Sequence, residues 1–279
     1  MATLLSLDDE AQIADNFRVV WRERGLPYQE LSAMKSQTNS GTAEPAAHRL
    51  VIVEGIMGSG KSTTMRFIAR NLEDSGLPAL ALHERTEPHP VRATDELEHW
   101  FEPWTDTTPQ RLADRALARW AAFVGAIQRD SPIPVIDGQL FHGDLTHLLL
   151  MGADSALLSD YVTALAAVIA PLNPLVVYLW QEDVEKAVRT VCAERGPEWV
   201  DYQLNWKLGG PYCVCKGYKG VEGLISLYRD YRKITDHLFH RLPLAKLAIE
   251  NSARDWPAYE SQILNALRLP GRATGIGRV

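Results

Sequence analysis

Residues 49–63 of this 279-residue chain read RLVIVEGIMGSGKST: an apolar run, then Gly55-x-x-x-x-Gly60-Lys61-Ser62, then the start of a helical pattern. Glycines let such a loop curl until successive backbone N–H groups point inward at phosphate oxygens, and the positive end of the following helix adds to that field. In this arrangement Lys61 reaches the β- and γ-phosphates of a bound triphosphate, and the Ser62 hydroxyl ligates Mg²⁺. The flanks agree with that reading. Leu50, Val51, Ile52 and Val53 form the continuous apolar run expected of a central parallel strand buried on both faces. Met65, Ile68, Ala69 and Leu72 recur at helical spacing, and Gly76 followed by Pro78 supplies a stop.

Outward from this stretch, apolar runs alternate with helix-compatible sequence. Ala79–His83, Ile133–Asp137, Leu175–Trp180 and Ala245–Glu250 are strand candidates, and with the run before the glycine loop they make five. The pattern predicts an α/β fold of three layers, a parallel five-stranded sheet flanked by helices, over residues 48–279. Residues 1–25 read as a short amphipathic helix carrying Ile13, Phe17, Val20 and Trp21, and residues 35–48 as a polar flexible linker, so 1–47 stands apart from the main domain. Val184–Arg195 looks helical, and 198–220, rich in Trp, Tyr, Lys and Gly, is long for a plain loop, which places a lid or insertion near 185–220.

Composition narrows the function classes. With 46% hydrophobic and 23% charged residues the chain can build a substantial core, and a net charge of −6 argues against general nucleic-acid binding. A small anion is the expected partner. Cys192, Cys213 and Cys215 lack paired zinc spacing and suit a reducing compartment. No apolar run approaches the ~20 residues that span a bilayer, and acidic residues occupy the N-terminus, so a cytoplasmic protein without membrane association is expected. The oligomeric state is left open, a homodimer included.

In a parallel sheet, ligands collect at the carboxyl ends of the strands. Asp137, closing the third run, is the candidate Mg²⁺ carboxylate beside Ser62. After the second run, Glu84 and Glu87 compete for the base that accepts an acceptor proton, with Glu87 preferred. Arg189 and Arg195, on the predicted helix after the fourth run, are candidates to neutralise charge on the transferring phosphate and exclude water. Trp100, Phe101 and Trp104 are read as core rather than as an acceptor pocket, and His142 and His147 as structural or surface residues.

These residues resemble the thymidylate kinase and deoxynucleoside kinase branch of P-loop kinases. The similarity rests on Val53-Glu54-Gly55 leading into Gly58-x-Gly60-Lys61-Ser62-Thr63, on Glu87-Pro88, and on Val177-Tyr178-Leu179 before an arginine-bearing helix. It extends from about His48 to Leu269. The resemblance implies ATP and Mg²⁺ as cofactors, phosphate binding by Gly55, Met57, Gly58, Ser59, Gly60, Lys61, Ser62 and Thr63, a carboxylate role for Glu87, lid roles for Arg189 or Arg195, and an adenine near Asn251–Asp255. One departure bears on the acceptor. Members of that branch carry an acidic-Arg pair after the third strand, whereas here Asp137 precedes Gly138-Gln139. The expectation is an ATP-dependent phosphotransferase whose small-molecule acceptor is a nucleoside or nucleotide by resemblance. A natural-product hydroxyl, or a nucleotide-dependent switch without an acceptor, are the alternatives.

Overall fold

The computed structural model describes residues 48–269, so the helix and linker expected over 1–47 lie outside the described residues. The five strand candidates form β1 (Val51–Gly55), β2 (Ala79–Leu82), β3 (Ile133–Asp137), β4 (Leu175–Trp180) and β5 (Ala245–Glu250). They pair in the order β2-β3-β1-β4-β5, every pair parallel. The helices are α1 (Lys61–Asp74), α2 (Pro109–Ala126), α3 (Asp144–Leu150), α4 (Ser155–Ile169), α5 (Val184–Arg195), α6 (Pro197–Leu208), α7 (Pro211–Lys216), α8 (Gly220–Arg241) and α9 (Trp256–Leu267).

Alternation along the central strands divides the interior into two cores. Leu50, Ile52, Val176 and Tyr178 face one side, where α2, α3, α4, α5 and α8 bring Trp120, Phe123, Leu148, Leu165, Val188 and Leu227 against them. Val51, Val53, Leu175, Val177 and Leu179 face the other, covered by the Met65, Ile68, Ala69 and Leu72 stripe of α1 and by Tyr259, Ile263 and Leu267 of α9. Each fully buried large side chain contributes about 1.5–3 kcal/mol, and burial on both faces is why β1 shows no polar alternation. Glu54 interrupts that apolar pattern, for a reason that lies in the site.

Side-chain caps set several helix starts. Thr108, Asp154, Asp183 and Asp255 accept from Arg111 N, Leu157 N, Lys186 N and Ala258 N, and Pro109 occupies the first position of α2. At the sheet edge, Lys246 on β5 donates to Phe239 O, His240 O and Leu242 O, satisfying the end of α8 while presenting charge where another strand would otherwise pair. Segment 185–220 is occupied by α5, α6, α7 and the start of α8, with α5 and α6 packed on α8 and α7 on α3.

Two expectations are adjusted. The second strand ends at Leu82, one residue early, which frees the His83 ring to face β3. One stretch, Ser155–Leu172, is long and apolar enough by composition to cross a bilayer, contrary to the reading that no run comes near that length. Its Leu158, Tyr161, Val162, Leu165, Ala166 and Ile169 are buried in the first core.

Candidate functional site

The connection after β1 runs to one side of the sheet and that after β3 to the other, so the crevice between their carboxyl ends is the switch point where such sheets hold ligands. The glycine loop opens there. Gly58 and Gly60 adopt left-handed conformations, φ 74° and 90°, which an L side chain rarely takes. A Cβ on Gly60 would also lie 2.4 Å from the Trp256 ring, and one on Gly55 would lie 2.4 Å from Leu179 O. Asn251, just beyond β5, donates through Nδ2 to Ser59 O at 2.6 Å and through its backbone to Trp180 O, so it pins the loop from below. Met57 and Ser59 are buried, and Thr63 is exposed on the first turn of α1.

Lys61 is buried, and its ammonium donates to Ile56 O at 3.1 Å across the loop. Ser62 donates to Asp137 Oδ2 at 2.5 Å. This contact joins two residues 75 positions apart. Asp137 is fully buried, with His83 Nε2 3.6 Å from the same oxygen and, among the described residues, no partner for Oδ1. Burial raises its pKa, opposed by Lys61 and by the Ser62 hydrogen bond.

Glu54, fully buried on β1, accepts from the backbone N–H groups of Leu140, Phe141 and His142 at 2.7, 2.9 and 3.1 Å. It holds the turn that follows β3, in which Gly138 and Gln139 are consecutive left-handed residues, φ 76° and 83°. A non-glycine residue in that region persists only where its surroundings over-determine it. Burial pushes the Glu54 carboxyl up to about 7, against the three backbone donors and Lys61.

That shift has a measurable sign. The folded value of about 7 lies above the ordinary 4.5, so folding takes up a proton between those limits. The associated stability is fully present below the ordinary value and is lost as pH rises through the folded one. Relative to Glu54→Gln, the wild-type chain is expected to lose on the order of 3 kcal/mol between about pH 4.5 and 7. Urea unfolding of both proteins across that range checks it; parallel pH profiles would contradict a buried Glu54 with a raised pKa.

The predicted acidic and basic residues separate in space. Glu84 lies beside the crevice, with Oε2 3.7 Å from His142 Nε2, and its backbone carbonyl accepts from buried Arg92 at 2.6 Å. Arg92 also donates to Thr86 O and pairs with Asp95, which fixes the loop after β2. Glu87 is exposed. Arg189 is exposed and spans Glu185 at 2.9 Å and Glu222 at 2.6 Å; Arg195 is exposed at the end of α5. The structure therefore brings Lys61, Ser62 and Asp137 together with Glu84, and places Glu87, Arg189 and Arg195 at the surface.

Three neighbours were not singled out by the sequence. His83, Glu54 and Lys207 surround the crevice. Lys207 on α6 is buried, with its ammonium 3.9 Å from the Trp206 ring centroid and 5.8 Å from that of Tyr228. Burial drives its pKa down to about 8, with Glu84 opposing and Lys61 reinforcing the drop. His142 and His147, read as structural or surface residues, lie along the same side, His147 buried and His142 partly so, and loss of water around the rings holds both well below the ordinary histidine range. Trp100 and Phe101 also reach this side, Phe101 with its ring centroid 5.3 Å from that of Trp206. The signal that could have marked Glu54 was a carboxylate inside a doubly buried strand; α6 scatters polar and aromatic residues around its circumference, so no apolar stripe marked Lys207 as lying on a buried face.

The residues fit a triphosphate and Mg²⁺. The left-handed glycines and the start of the 14-residue α1 form an anion cradle, and Ser62 Oγ with the unpartnered Asp137 Oδ1 offers oxygen donors. Among the described residues no group of three or more His, Cys, Asp or Glu side chains could hold a metal alone, which suits an ion that keeps water and phosphate ligands. No family model matches the chain, and no curated protein does. Among solved structures, the YorR protein of Bacillus subtilis, crystallised with phosphorylated GDP, is similar over 78% of this chain and 95% of that one, at 15% identity and a TM-score of 0.38.

Proposed function

We propose that this chain is a phosphotransferase that takes the terminal phosphoryl group of ATP, with Mg²⁺, to a small-molecule acceptor. The observation that carries the reading is the Ser62–Asp137 contact at the switch point, with Lys61 buried beside it. Phosphoryl transfer asks the protein chiefly for positioning and charge neutralisation. The loop N–H groups and Lys61 would hold the triphosphate, and Ser62 with Asp137 would hold Mg²⁺, which screens the negative charge between donor and acceptor. Glu84 replaces Glu87 as the carboxylate placed to accept a proton from a hydroxyl acceptor, because it faces the crevice and Glu87 faces solvent.

The buried polar groups beside the loop favour transfer over simple hydrolysis, since a nucleotide switch needs no second site there. Nucleoside and nucleotide acceptors are the first to try, followed by hydroxylated natural products. Incubation of the purified chain with ATP and Mg²⁺ against these compounds, with mass spectrometry of each, is expected to show one acceptor gaining a single phosphoryl mass. ATP loss at the same slow rate with and without every acceptor would contradict transfer.

A further inference from the structure

Lys207 is nine-tenths or more buried, yet among the described residues its ammonium has no carboxylate within ion-pair distance, only the faces of Trp206 and Tyr228. A buried cation without an ion pair is costly, and structures that keep one usually do so for a ligand. Around it lie buried polar atoms with no partner among the described residues: Trp206 Nε1, the Tyr228 hydroxyl, His142 Nδ1 and both ring nitrogens of His147. These residues form a connected set. The His147 and Trp206 rings are 5.9 Å apart, the Tyr228 and Tyr231 rings 6.0 Å, and the His142 and Tyr231 rings 6.5 Å. Indole N–H, phenol O–H and ammonium are all donors, so the set is rich in groups that an anion satisfies.

We propose that Lys207 is the seat for an anionic group on the acceptor, and that this acceptor is a phosphate monoester held on the Trp206, Tyr228 and His147 side of the crevice. The assignment rests on the phosphotransferase reading and deepens it. A monoester dianion has three terminal oxygens and takes up more donors than a carboxylate does. Lys207 and Lys61 act on each other electrostatically, so an anion lodged near both removes a repulsion that the free protein carries. Glu84 is the carboxylate that acts on Lys207, and its near oxygen is turned to His142.

The chemistry balances without a base. An oxygen of the acceptor's phosphate attacks the terminal phosphorus of the donor triphosphate and forms a new P–O bond. The bond from that phosphorus to the bridging oxygen breaks, and its electron pair leaves on the nucleoside diphosphate. No proton moves, because the attacking oxygen is already ionised.

The test uses matched pairs, nucleosides with their 5′-monophosphates and sugars with their sugar phosphates, and follows label from γ-³²P-ATP with Mg²⁺. Label is expected on a monoester member and not on its hydroxyl partner. Lys207→Met, which keeps the length of the chain over Trp206, is expected to lower kcat/KM for that monoester at least about tenfold with ATP affinity unchanged. It is also expected to raise the melting temperature, since a buried charge is removed, whereas a purely structural lysine would lower it on replacement. Label on the hydroxyl member, or on neither, overturns the anionic acceptor even if the variant does not fold. Titration with a fluorescent ATP analogue reports separately on the donor site: binding with a failed panel leaves the triphosphate site standing and sinks only this proposal.

Discussion

Lys61→Met is expected to lower phosphoryl transfer by about a hundred- to a thousandfold while the chain remains folded. Among the described residues Lys61 is held by one hydrogen bond to Ile56 O within its own loop and by no carboxylate within ion-pair distance, so little of the described architecture depends on it. On the proposed function its position at the start of α1 would place the ammonium where a γ-phosphate carries developing charge, and a methionine of similar length fills the space without that charge. Steady-state rates together with a thermal melt check the prediction. A variant that turns over like the wild type would remove the loop from the chemistry, whereas a collapsed melt would mean that Lys61 is a structural residue.

Asp137→Asn is expected to cost about a hundredfold in turnover at limiting Mg²⁺. The amide keeps the shape of the carboxylate and a contact with Ser62, yet it carries no charge to hold the ion. Among the described residues Asp137 Oδ1 has no partner, His83 offers only a ring nitrogen 3.6 Å from Oδ2, and the neighbouring carboxylate, Glu84, is turned to His142, so the charge beside Ser62 is not replaced. The signature is a Mg²⁺ titration displaced to higher concentration, with partial recovery of rate at saturation. An unchanged titration would assign Asp137 to holding Ser62 and not to the metal.

How far the sequence reaches can be seen residue by residue. β3, β4, β5 and α5 have the bounds that periodicity predicts, and the stripe of α1 is the one read from spacing, because burial on a sheet face imposes a local rhythm. The meeting of Lys61, Ser62 and Asp137 was legible for a different reason: a loop with fixed spacing, and a carboxylate at a strand end. Lys207 was not legible, since its meaning comes from Trp206, Tyr228 and Glu84, which reach it from two other elements and its own helix. For Arg189 the sequence offered a candidate role but not its partners: Glu185 lies one turn away, whereas Glu222 arrives from α8. The sheet order likewise exceeds local pattern, because it records which connections cross over β1.

The hydrogen bond from Asn251 to Ser59 joins residues 192 positions apart, and Trp256 packs on Gly60 over a similar span. A ribosome building this polypeptide therefore releases the complete glycine loop long before the residues that hold it in shape exist. Synthesis runs from the N-terminus, and structure forms as chain emerges. On the proposed function, nucleotide capture would then come late in biogenesis, after the fifth strand has docked, and a nascent or prematurely terminated chain would be left without a finished pocket for the cell's abundant triphosphates.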